Sequence, residues 1–70
     1  MESAKLTNQI RRLRFEHGEM TQQKLADLAH VTRQTIIALE ASRYNPSLLL
    51  ALRISKVFGV SVDDVFQYHE

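Results

Sequence analysis

An all-α domain of five short helices is the fold class this sequence predicts, on three observations. Apolar residues recur at three- and four-residue spacing in successive stretches. Residues that start or stop helices, among them Gly18, Thr21, Thr32, Pro46, Gly59 and Ser61, stand between those stretches. No linker, internal repeat or low-complexity run interrupts the 70 residues, so one small domain over 1–70 is expected.

The first helix is expected from about Asn8 to His17, with Ile10, Leu13 and Arg14 facing inward and Gly18 as the stop. Thr21 is a good N-cap, because its hydroxyl can accept from an unpaired backbone N–H of the next turn. Leu25, Leu28 and Ala29 follow at helical spacing and give a second helix of two turns. His30-Val31-Thr32 interrupts the pattern and Thr32 caps again. In the third helix Ile36, Leu39 and Glu40 share one face, and Arg33, Gln34, Ile37 and Ala38 the other. An exposed loop, Ala41 to Asn45, leads to a fourth helix from Ser47 or Leu48, since proline suits a first turn. That helix turns Ala51, Ile54 and Phe58 inward and ends at Phe58 before Gly59. Ser61 with Asp64 forms a capping-box-like start for a short fifth helix, Val62 to about Phe66.

Composition excludes several functions. The absence of cysteine rules out disulfides. Neither the N-terminal MESAKL nor the longest apolar run, Leu48 to Leu52, suffices for a signal peptide or membrane span, so a cytoplasmic location is expected. There is no Gly-rich phosphate loop and no grouping of nucleophile, base and orienting residue. His17, His30 and His69 fit no ligand spacing. No catalytic residue, cofactor or metal is therefore expected. Asp63 and Asp64 are explained by the N-terminus of the fifth helix, where negative charge is favourable. A net charge of +1 is low for a nucleic-acid binder, but distribution matters more than the sum. Lys5, Arg11, Arg12, Arg14, Lys24, Arg33 and Arg43 outnumber the acids before residue 45. Asp63, Asp64 and Glu70 outnumber Arg53 and Lys56 after it.

The stretch Thr21–Glu40 is the most informative. Two helices joined by a turn of three or four residues and crossing steeply form a helix-turn-helix, whose second helix carries base contacts near its N-terminus. Arg33 and Gln34 stand at that end, and their paired hydrogen-bonding groups match the edges of guanine and adenine.

The Thr21-Gln22-x-x-Leu25-Ala26 core, the run Val31 to Ile36, Leu39-Glu40, Asn45 to Leu48 and Gly59 to Phe66 together resemble the Cro/C1-type (XRE) transcriptional regulators. The likeness is greatest to their small bacterial members of the cytolysin-operon repressor type, which consist of the DNA-binding domain alone. It covers residues 8 to 68. The resemblance implies a five-helix, lambda-repressor-like domain bound to double-stranded DNA. It implies base contacts from Arg33, Gln34, Thr35, Ile37 and Ala38, with Thr35 facing a base or a phosphate and Ile37 either meeting a thymine methyl or buried. Phosphate contacts are implied for Gln22, Gln23, Lys24, Thr32, Arg43, Tyr44 and Asn45. An ion pair between Arg14 and Glu40 would tie the first helix to the third. The chain ends, Ala4 to Thr7 and Phe66 to His69, would either pair as a small antiparallel sheet or fray.

Two departures from the family pattern stand out. The loop Gly18-Glu19-Met20 is one residue longer than is common and is expected to bulge outward. His30 stands at a corner where the family prefers glycine for its positive φ. The resemblance further implies a homodimer that presents two recognition helices to a palindromic operator. Its interface is expected on Leu49, Val57, Val60, Val62, Val65, Phe66 and Tyr68. A repressor without a small-molecule effector is the expected function. The alternatives are the antitoxin of a toxin pair and a protein-bridging domain.

Overall fold

Each of four helices begins where a side-chain oxygen accepts from the first turn. The structure, a computed structural model, describes residues 5–43 and 45–70. Its order is β1 (Lys5–Asn8), α1 (Ile10–Glu16), α2 (Gln22–Ala29), α3 (Arg33–Glu40), α4 (Leu48–Phe58), α5 (Val62–Val65) and β2 (Phe66–His69). Thr21, Thr32, Ser47 and Ser61 are the N-caps of α2 to α5, accepting from the N–H of Lys24, Thr35, Leu50 and Asp64. Ser61 and Asp64 complete a reciprocal capping box. Pro46 lies just before the α4 cap, two positions ahead of the first helical residue rather than in the first turn.

Positive φ marks the turns. Gly59 ends α4 at φ +67, where its missing Cβ avoids the left-handed penalty. Gly18 and Glu19 are both left-handed and exposed, the outward bulge expected of the longer loop. They return the chain so that the Met20 N–H donates to the Arg14 carbonyl at 2.8 Å. His30 adopts φ 63 and ψ 42 at the corner between α2 and α3.

The helices share one core. Ile10, Leu25, Ile36, Leu39, Ile54 and Val65 are its largest fully buried side chains. Leu28, expected beside Leu25 and Ala29, is turned out and 42% exposed, and Ala26 takes the inward position. The Val31 N–H donates to the Ala26 carbonyl at 3.0 Å and closes the end of α2.

The chain ends do form a sheet. Strands β1 and β2 pair antiparallel, with Lys5 opposite His69 and Asn8 opposite Phe66. Ala4, expected in the first strand, lies outside the described residues. The Gln9 N–H donates to the Val65 carbonyl at 2.8 Å and joins the sheet to α5. This closure overturns part of the expected dimer face: Val65 and Phe66 belong to the core. β2 follows α5 without an intervening residue, and both side chains at that junction are buried.

Candidate nucleic-acid interface

The corner between α2 and α3 is held by short-range bonds that leave the front of both helices open. Thr21 Oγ1 accepts from the Lys24 N–H at 3.0 Å. The Gln22 and Gln23 N–H groups, two residues earlier and one, have no intrahelical acceptor, as in any first turn. Thr32 Oγ1 accepts from the Thr35 N–H at 3.3 Å, and the two hydroxyls lie 3.1 Å apart. Arg33 and Gln34 follow, both exposed. Neither side chain has a hydrogen-bond or ion-pair partner among the described residues. Thr35, Ile37 and Ala38 are half-buried, so Ile37 is not the fully buried side chain that one expectation held. It packs along one edge and leaves the other to solvent.

The residues expected at phosphates divide. Lys24, Thr32, Arg43 and Asn45 are exposed. The Arg43 N–H donates to the Ala38 carbonyl at 3.0 Å, which fixes the start of the loop after α3. Tyr44 lies outside the described residues. Gln23 is exposed but donates to Asp27 at 2.9 Å. Gln22 turns inward and donates to Glu40 Oε1 at 3.2 Å, so its side chain braces α3. A phosphate at this helix end would then be met by backbone N–H groups, which carry partial positive charge.

Arg14 and Glu40 meet as a two-pronged ion pair. Arg14 Nε donates to Glu40 Oε2 at 2.6 Å and Nη2 to Oε1 at 3.1 Å, with the side chains 14% and 10% exposed. Nη1 donates to the Met20 carbonyl at 2.7 Å. The guanidinium thereby gathers α1, the bulged loop and the C-terminus of α3, and Gln22 adds the start of α2.

Sequence reasoning missed two groups of residues. Asn8 donates through Nδ2 to the Leu39 carbonyl at 2.7 Å, and its Oδ1 accepts from the Ile10 N–H. It holds the end of α3 against the start of α1. An Asn just before an apolar helical run was the available signal. Leu48 and Leu52 are exposed beside Leu49 on α4, at 72%, 48% and 57%. The helical phase of Ala51, Ile54 and Phe58 already implied that 49 and 52 face outward.

Among the described residues no group of three His, Cys, Asp or Glu side chains could hold a metal. His17 Nδ1 and Nε2 lie 2.9 and 3.2 Å from the Leu13 and Phe58 carbonyl oxygens, and its ring stands edge-on to Phe58. His69 Nε2 is 2.9 Å from the Thr7 hydroxyl. No described helix is long and apolar enough to cross a membrane.

Comparison with known proteins agrees with this geometry. A helix-turn-helix family model matches residues 10–65. An uncharacterized HTH-type transcriptional regulator of Methanocaldococcus jannaschii is 45% identical over 65 residues, 93% of this chain and 97% of that protein. One from Bacillus subtilis is 45% identical over the same shares. One from Methanothermobacter thermautotrophicus is 53% identical over 58 residues, covering 81% and 83%. The fold is similar to a crystal structure from Bacteroides fragilis described as a "putative DNA-binding protein", with a TM-score of 0.74 at 18% identity over 89% of this chain and 98% of the other.

Proposed function

Because the chain belongs to the helix-turn-helix family, we propose that it is a cytoplasmic, sequence-specific DNA-binding transcriptional regulator that represses by occupying a palindromic operator as a homodimer. The observation that supports this reading most is the first turn of α3. Arg33 and Gln34 stand exposed there, without a side-chain partner among the described residues, on a helix whose direction is held by Thr32, Asn8 and the Arg14–Glu40 pair. A base-reading side chain needs that combination: free donors on a rigid element. Thr35 and the open edges of Ile37 and Ala38 extend the same surface toward neighbouring bases. Arg43, Asn45, Lys24 and Thr32, with the start of α2 carrying Gln22 and Gln23, flank it as phosphate contacts that set register.

A module of this size makes few base contacts, and pairing two of them across a twofold axis doubles the site. The surface we assign to the homodimer is the apolar surface left outside the core. It comprises Leu49 with Leu48 and Leu52 on α4, the half-buried Val60 and Val62, and Tyr68 on β2. Val57 borders it and opens onto the space between α2 and α4.

Selection of binding sites from random double-stranded DNA tests the reading. The expected product is a palindrome with half-sites about one helical turn apart, matching a sequence near the chain's own coding region. Failure to enrich any sequence over input would refute specific binding. A single unpaired half-site would refute the dimer alone.

A further inference from the structure

Between α2 and α4, Leu28, His30, Arg53, Lys56 and Val57 line an open groove of about 390 Å³ that includes none of the residues assigned to DNA. Leu28, turned out of the core, and half-buried Val57 form its apolar walls. Arg53 and Lys56 are the only Lys or Arg residues after residue 45, so an otherwise acidic segment turns both its cations into one place. Among the described residues no acidic side chain lines the groove. The two ion pairs among the described residues, Arg12–Glu16 and Arg14–Glu40, engage neither cation.

We propose that this groove docks an acidic amphipathic helix of a partner protein, with apolar residues against Leu28 and Val57 and carboxylates on Arg53 and Lys56. His30 adds an imidazole N–H at the rim. Charge complementarity selects the occupant: two cations with no ion-pair partner among the described residues, beside apolar walls, match carboxylates set beside leucine-like side chains on one helix face. The site is open, whereas a small ligand needs most of its surface enclosed. A second copy fits poorly. The only adjacent acids of this chain, Asp63-Asp64, stand on the four-residue α5, too short to lie along the groove, and Asp64 is engaged in its capping box. Such docking supplies a protein input on a face separate from the recognition helix, and it stands whether or not α3 binds an operator.

The test titrates the full-length, isotope-labelled chain with a synthetic peptide about three helical turns long, leucines on one face and glutamates on the other. The control is the same composition scrambled. Amide shifts are expected at Leu28, His30, Arg53, Lys56 and Val57. The scrambled peptide should bind about tenfold more weakly, and Lys56→Glu should weaken the designed peptide by about fivefold. Arg53→Glu added to Lys56→Glu should abolish binding with α3 amides unmoved. Three results would overturn the proposal: equal binding of the scrambled peptide, shifts confined to Arg33–Ala38 and Arg43, or the same groove shifts on concentrating the chain without peptide. The last would assign the groove to a second copy.

Discussion

Breaking the Arg14–Glu40 pair from either side should destabilise the fold far more per residue than removing both. The perturbations are Arg14→Met, Glu40→Met and the double variant, chosen to keep side-chain volume. In the first, the Glu40 carboxylate loses two charged donors and keeps only Gln22. In the second, the guanidinium keeps only the Met20 carbonyl. Removing one member of a buried pair costs about 3 to 5 kcal/mol, and the side-chain exposures of 14% and 10% place this pair at the lower end, about 3. Additive losses would then total about 6 kcal/mol, most of the roughly 4 to 10 kcal/mol expected of a chain this size. The double variant leaves no stranded charge, so it should lose only about 3 to 4 kcal/mol, a coupling of about 2 to 3. Urea unfolding followed by circular dichroism reads this directly. With a slope of about 1 kcal/mol per molar urea, the double variant's midpoint should lie about 2 M above the additive value. Sulfate keeps the single variants folded at the start of the titration, and a fixed protein concentration removes any contribution from association. Single losses that sum to the double within about 0.5 kcal/mol would refute the coupling and with it the view that this pair orients α3.

Three further outcomes are expected. Arg33→Ala should lose about 1 to 3 kcal/mol of discrimination at one operator position, while Arg43→Ala should weaken all sequences alike and flatten the salt dependence; equal losses on operator and random DNA for Arg33→Ala would end its base-reading role. His30→Gly should gain about 0.5 to 1 kcal/mol, because His30 holds φ 63 against its Cβ and has no side-chain hydrogen bond among the described residues; a lower melting temperature would reveal a contact of the imidazole. Val65→Ala should cost about 2 kcal/mol through a cavity in the core, with a loss that does not change on dilution; a loss that grows on dilution would return Val65 to a dimer interface.

The helix boundaries and the corner were legible in the sequence because their causes are local. A threonine or serine that accepts from an N–H three residues on needs nothing outside its own turn, so Thr21, Thr32 and Ser61 announced α2, α3 and α5. Arg14 and Glu40 were legible for a different reason: a charge on an inward face must find its opposite. What escaped were residues whose partner is backbone. Met20 offers Arg14 a carbonyl, as Leu39 does Asn8, and a carbonyl carries no mark in the sequence.

Sequence alone determined the order of the five helices, the helix-turn-helix at Thr21–Glu40 and the exposed Arg33-Gln34 turn that opens its second helix. Only the tertiary structure decided which apolar residues close the core and which stay at the surface. Val65 and Phe66 went inside, Leu28 and Leu48 outside, and Gln22 turned from the helix end to Glu40. The chain ends paired because α5 delivers β2 beside β1. The physical reason is range. Caps and helical phase are settled within one turn of chain, whereas burial depends on how five helices share a small volume, a sum over contacts that no local pattern contains.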